Sequence, residues 1–201
     1  MSAPEIPITI TRGETFEFGF MWADDRLLYL PIVAMPSKAP VRLRVPGHGI
    51  PDGWPVRVTC VRQPEELNTP EGEHVFATVV DADTIELNEL NAHCWRQFAG
   101  DGLVVLRQPT DLAGWQCRGQ TRDKPGGRLL WSWHSVPAEN PDSLIIVDQT
   151  LSQFVLTMSA EQAAELAWSK GVYEVEAIAP GGEVYKICAI SPVEVSREVS
   201  T

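Results

Sequence analysis

The sequence predicts an all-β fold: a Greek-key β-sandwich with one short helix and an inserted, small barrel-like module. Three observations point there. Apolar and polar residues alternate over short stretches. Turn-forming residues recur at close intervals, with 16 Pro and 15 Gly among 201 residues, a density that favours many short strands. Helical character is confined to one short segment.

Taken in order, Ile6, Ile8 and Ile10 alternate with small or polar neighbours, and beyond the turn Arg12-Gly13-Glu14 so do Phe16, Phe18, Phe20 and Trp22. Two half-buried strands joined tightly are predicted. A stretch spaced by Pro31, Pro36 and Pro40 follows, and the texture then changes to short valine-rich runs at 41–45, 56–61, 75–80 and 84–87. Pro46-Gly47-His48-Gly49, Pro51-Asp52-Gly53 and Asp81-Ala82-Asp83 are the turns between them. Residues 37–107 are therefore expected to form a compact β-module. After Pro109, strands are predicted from Trp115 and at 129–133, 144–147, 154–157, 172–178, 184–190 and 193–195. Residues 159–168 read as the one helix, with Ser159 and Gln162 spaced as a capping box and Gly171 past the end. Two strands alone are marginal in water, so the N-terminal pair needs the later strands as partners. The expected organisation is one Ig-like sandwich of residues 1–36 and 108–201, with 37–107 inserted at a loop.

Sixteen Lys and Arg against 27 Asp and Glu give a formal charge of −11, which repels phosphate backbones and anionic membrane surfaces. Direct nucleic-acid binding is disfavoured. The apolar run from Leu27 is far shorter than the ~20 residues of a spanning helix and is interrupted by Pro31. The first residues lack the basic-then-apolar pattern of a signal peptide, so synthesis in a cytoplasm is expected. Cys60, Cys94, Cys117 and Cys188 are far apart, without a Cys-x-x-Cys pair, and are expected to be buried free thiols.

Chemistry-bearing patterns are sparse. His48, His74, His93 and His134 are not spaced as metal ligands, and His48, within its glycine turn, is expected to make ordinary polar contacts. Asp24-Asp25 and Asp81-Ala82-Asp83 offer carboxylates but lack the remaining positions of a calcium loop. Gly100-Asp101-Gly102 and Lys124-Pro125-Gly126-Gly127 lack the ending of a phosphate-binding loop and fit hairpin turns. No serine sits in a nucleophile elbow. No catalytic residue, metal or cofactor is expected. Seven Trp are the notable excess, because Trp is enriched at interfaces and in sugar-binding grooves as well as in cores. Trp131 and Trp133 fall on one side of a strand; with Trp54 they are the candidate interface residues, filling a core being the competing role.

Three motif series carry a resemblance. Arg12-Gly13-Glu14-Thr15 leads into the aromatic strand; Asp111-Leu112-Ala113-Gly114-Trp115 enters a strand that runs through Gln116-Cys117-Arg118; and Phe154 to Leu166 precedes Gly171-Val172-Tyr173-Glu174. In this order they resemble the N-terminal domain of the baseplate upper protein of tailed phages, over about 130 residues. The insert, with Gly47-His48-Gly49-Ile50-Pro51-Asp52-Gly53 and Val80-Asp81-Ala82-Asp83-Thr84, is similar to a small phage β-module compared with the half-domain of ubiquitin-activating enzymes. Gly100-Asp101-Gly102 departs from that module's more usual Ser-Gly-Gly.

The resemblance implies a non-enzymatic structural protein of the virion, placed in the tail or neck. Its expected partners are other virion proteins, namely tail hub, fibre or adaptor subunits, with repeated copies in the particle. A carbohydrate-binding module is the alternative, and it requires flat, exposed indoles at Trp54, Trp131 or Trp133. A wall-degrading hydrolase is a further rival and would need convergent carboxylates or a nucleophile–base pair.

Overall fold

The structure is a computed structural model that describes residues 3–137, 139 and 144–196. It is all-β with one short helix, and the chain divides into two compact units. The first comprises residues 1–21, 111–149 and 153–201, and the second comprises 22–110 with 150–152.

The first unit is a sandwich of two sheets. Strands β1 (Ile8–Thr11), β15 (Val184–Ser196), β14 (Lys170–Ile178), β10 (Gln116–Arg122) and β11 (Leu129–His134) form one sheet in that order. Strands β12 (Ile145–Asp148), β13 (Gln153–Met158) and β2 (Phe16–Met21) form the other. Period-two alternation decides which side chains enter the core. Ile8 and Ile10, Phe16 and Phe20, Phe154, Leu156 and Met158, and Tyr173, Val175 and Ala177 all point inward. The Trp133 indole N–H donates to the Thr157 carbonyl at 3.1 Å and so ties β11 to β13 across the two layers.

Helix α1 spans only Ala160–Ala164. Its start follows the sequence: Ser159 accepts from the Gln162 amide, and the Gln162 side chain accepts from the Ser159 amide. Its end does not, since the expected helix to residue 168 stops four residues early. Tertiary contacts take over there. Leu166 is buried, the Trp168 carbonyl accepts from Arg12, and the Ser169 carbonyl accepts from the Val195 amide.

The second unit is one rolled sheet. Its order is β3 (Ala23–Pro31), β9 (Leu103–Pro109), β6 (Trp54–Thr59), β7 (Val75–Asp81), β8 (Thr84–Leu87), β5 (Val41–Arg44) and β4 (Ala34–Lys38). Its two outermost strands, β3 and β4, are consecutive in the chain and separated only by Ile32 and Val33. The Ile32 amide donates to Gly102 beside β9, and the Val33 amide donates to Arg44 of β5. One continuous segment thus changes partner at residues 32–33 and closes the sheet into a barrel, removing both edges. Val41, Leu43, Trp54, Val56, Val58, Ala77, Ile85, Leu87, Val104 and Leu106 fill the interior.

The expected boundary at residue 37 is therefore displaced. Residues 23–36, assigned from sequence to the sandwich, are hydrogen-bonded into the barrel through the pairs from Leu27↔Arg107 to Pro31↔Leu103 and Ala34↔Arg44. The unit begins at Trp22 and ends at Thr110, where the Thr110 amide donates to the Trp22 carbonyl. Ser152 Oγ lies 2.8 Å from the Trp22 carbonyl oxygen and 2.6 Å from that of Thr110. No helix among the described residues is long and apolar enough to cross a membrane.

Candidate docking surfaces

Each sequence-derived candidate has a definite place. Trp54 is buried in the barrel, with its indole N–H donating to the Arg107 carbonyl at 3.1 Å. Trp133 is fully buried in the sandwich. Both belong to cores and not to an interface, because each lies on the inward register of its strand. Trp131 does share a side with Trp133, packing edge-on at 6.3 Å, and is half-buried with its indole nitrogen sequestered. All seven Trp are buried or half-buried, and none is a fully exposed indole.

His48 is buried and fully occupied. Its Nδ1 accepts from the Ile50 amide at 3.0 Å, which leaves Nε2 to donate to the Asp81 carbonyl at 2.9 Å. The Asp81-Ala82-Asp83 turn joins β7 to β8. Asp81 accepts from the Asp83 amide, and Asp83 accepts from Gly47. The bond from the Asp83 amide holds the Asp81 carboxyl below its ordinary range. Asp24 accepts from the Thr110 hydroxyl, and Asp25 pairs with Arg107. Lys124 to Gly127 turn the β10–β11 hairpin, closed by the Gly127 amide on the Lys124 carbonyl. Among the described residues, no three His, Cys, Asp or Glu side chains converge as a metal site would need.

The thiols split into two kinds. Cys117 and Cys188 are buried in the sandwich, and burial pushes both thiols up from their ordinary range. Burial likewise raises the Tyr173 phenol, whose hydroxyl donates to the Ile6 carbonyl at 2.6 Å. Cys60 and Cys94 are exposed, against the sequence expectation. They sit in connecting turns, Cys60 with a left-handed φ of 61° just past β6, where no inward register exists. Cys60 borders a cleft of about 930 Å³ with Arg62, Glu65, Asn68 and Asp101. That cleft holds no imidazole to activate the thiol, and the Asn68 amide is consumed by Val61 and Glu65.

Two surfaces stand out among the described residues. The first is the outer face of the barrel where β3, β9, β6 and β7 lie side by side. The registers Tyr29↔Val105, Val105↔Arg57 and Pro55↔Phe76 place these residues in adjoining rows, with Leu27 beside Tyr29. Tyr29, Leu27 and Phe76 are exposed, at 60%, 46% and 44%, which is unusual for large apolar side chains grouped together. His74 packs edge-on against Phe76 at 5.1 Å, and the Nε of Arg57 is buried without a hydrogen-bond partner. Tyrosine and arginine amid apolar neighbours is the composition of a protein-docking centre. The five-stranded sheet carries Arg118–Glu176 and Lys186–Glu174 pairs along β10, β14 and β15.

The second surface is a groove of about 350 Å³ between β1 and β2, one edge from each sheet of the sandwich. Nothing in composition marked either surface. Both depend on which strands become neighbours. Comparison with known proteins finds no family model that matches the chain and no similar curated protein.

Proposed function

We propose that the protein is a non-enzymatic structural component of a tailed-phage particle that docks other virion proteins. The observation that carries the docking part is the exposure of Leu27, Tyr29 and Phe76 on the outer face of the barrel around Arg57, with the Arg107–Asp25 pair beside Leu27. The phage setting rests on the ordered motif series from Arg12 to Thr15, Asp111 to Trp115 and Ser159 to Glu174. A charge of −11 weighs against nucleic acid as the partner. Such a subunit associates weakly through each contact and tightly only when many contacts act together in a ring or collar.

The test is co-sedimentation with purified tail and neck proteins, together with immuno-electron microscopy of particles. The chain should co-sediment at moderate salt and label the tail or neck. A Tyr29→Asp, Phe76→Asp double variant should lose co-sedimentation while keeping its melting temperature, because both side chains are already exposed. Turnover of a polysaccharide, binding of duplex DNA with a steep salt dependence, or full docking by the double variant would overturn the reading.

A further inference from the structure

The groove between β1 and β2 has the form of a sandwich that lacks one strand. On the sheet β12-β13-β2, strand β2 pairs only with β13 among the described residues. Its other edge is unprotected. Phe16–Met21 contains no Pro or Lys, and its register with β13 runs without a bulge from Met158↔Phe16 to Gln153↔Met21. Protein edges are ordinarily blunted by just those devices.

The side chains agree with the backbone. Phe16, Phe18 and Phe20 all face the sandwich interior by alternation, and Phe16 and Phe20 are buried. Phe18 is only half-buried, although it sits between them and packs against Phe20 at 5.1 Å. The core is thus uncovered at one point along β2, and that point lies in the groove. The charged groups lining the groove are Glu14 and Glu17, both exposed, and no Lys or Arg lines it.

We propose that this groove receives one extended segment of a cationic partner protein, which adds a strand to β2, covers Phe18 with an apolar side chain and presents Lys or Arg to Glu14 and Glu17. The groove is a different surface from the Leu27–Tyr29–Phe76 face, and the inference goes beyond the docking reading by giving the sandwich a partner of its own. Strand addition supplies affinity through the backbone and selectivity through alternate side chains. Charge selects the occupant. A second copy would bring another −11 and another pair of glutamates to the same edge, whereas a basic strand neutralises them.

The experiment uses the full chain and a fluorescein-labelled peptide of alternating Val and Lys, about eight residues long, the length of an ordinary strand. Fluorescence anisotropy at low salt should show saturable binding, and amide exchange of β2 should slow in the complex. A Val/Glu peptide should bind at least about tenfold more weakly, roughly the effect of losing two partly exposed charge pairs. Glu14→Lys, Glu17→Lys protein should reverse that preference, and both positions are exposed, so folding is not at stake. N-methylation of one alternate set of peptide amides should abolish binding while the other set is tolerated, because only one edge of the peptide pairs with β2. Equal binding of the Lys and Glu peptides, tolerance of both methylated sets, or no binding at all would overturn the proposal. So would a dimer of the chain alone in sedimentation whose interface protects the amides of β2, since the occupant would then be a second copy. A chain that docks to tail proteins but takes no peptide defeats this inference alone; one that takes the peptide yet has no virion partner defeats the functional reading instead.

Discussion

Replacing Trp133 separates a core role from an interface role most directly. The side chain is fully buried, packs against Trp131 and donates one hydrogen bond to Thr157 across the sandwich. Trp133→Ala removes the indole and leaves a cavity, which costs about 3–5 kcal/mol for a buried aromatic residue. With a urea dependence of about 2 kcal/mol per molar, that is a midpoint lowered by roughly 2 M. Trp133→Phe keeps most of the volume and loses the hydrogen bond, worth about 1 kcal/mol net, with a further cost for the unfilled part of the ring. Trp131→Ala should cost clearly less than Trp133→Ala, because Trp131 is half-buried and its sequestered indole N–H has no hydrogen-bond partner to lose. Urea titration followed by far-ultraviolet circular dichroism measures all three without relying on tryptophan emission. A Trp133→Ala cost under about 1 kcal/mol, far below the cavity range, would refute the core assignment. So would a Trp133→Phe protein of native stability that no longer docks.

Two further outcomes are expected. Cys117, Cys188 and Tyr173 are raised by burial from ordinary values of 9.0, 9.0 and 10.0, so they hold protons in the folded state that the unfolded chain has already released. Their contribution is intact below those values and is lost as pH climbs beyond them, by up to about 1.4 kcal/mol per pH unit for each group. The urea midpoint should therefore fall steeply above pH 9.0, and less steeply in Cys117→Ala; a flat profile to strong alkali would contradict the burial of this cluster. Excising 22–110 and joining Met21 to Asp111 through a short glycine-serine linker should leave a sandwich that unfolds cooperatively, because Trp22 and Thr110 are hydrogen-bonded neighbours. Excising 37–107 should not, since it strands β3 without β9; the reverse pattern would restore the boundary expected from sequence.

The fold class was legible because alternation and turn chemistry are local. The pattern Phe16, Phe18, Phe20 specifies a strand with an apolar face wherever it lies, and Ser159 with Gln162 specifies a helix start whatever follows. Even the polar residues of the β7–β8 turn could be assigned, since Asp81 needs only the amide two residues ahead. What stayed hidden was every property defined by a distant neighbour. Leu27 to Leu30 fell within the stretch assigned to the sandwich, and only pairing with β9 makes that run a barrel strand and leaves Leu27 and Tyr29 outside. Trp54 and Trp133 were eligible for an interface by residue type; their inward register settled otherwise.

The open edge of β2 is a sharper instance of the same limit. Its residues, three phenylalanines alternating with Glu17, Gly19 and Met21, read from sequence as a half-buried strand joined tightly to the one before. In the fold it pairs only with β13 among the described residues, and its inward Phe18 is left half-covered. An edge strand without Pro, Lys or a bulge conflicts with much of the blunting that edges ordinarily carry. Either the conflict is tolerated as an aggregation hazard or a second chain resolves it. The glutamates flanking the groove favour the second course, because they repel another copy of this acidic chain while attracting a basic strand.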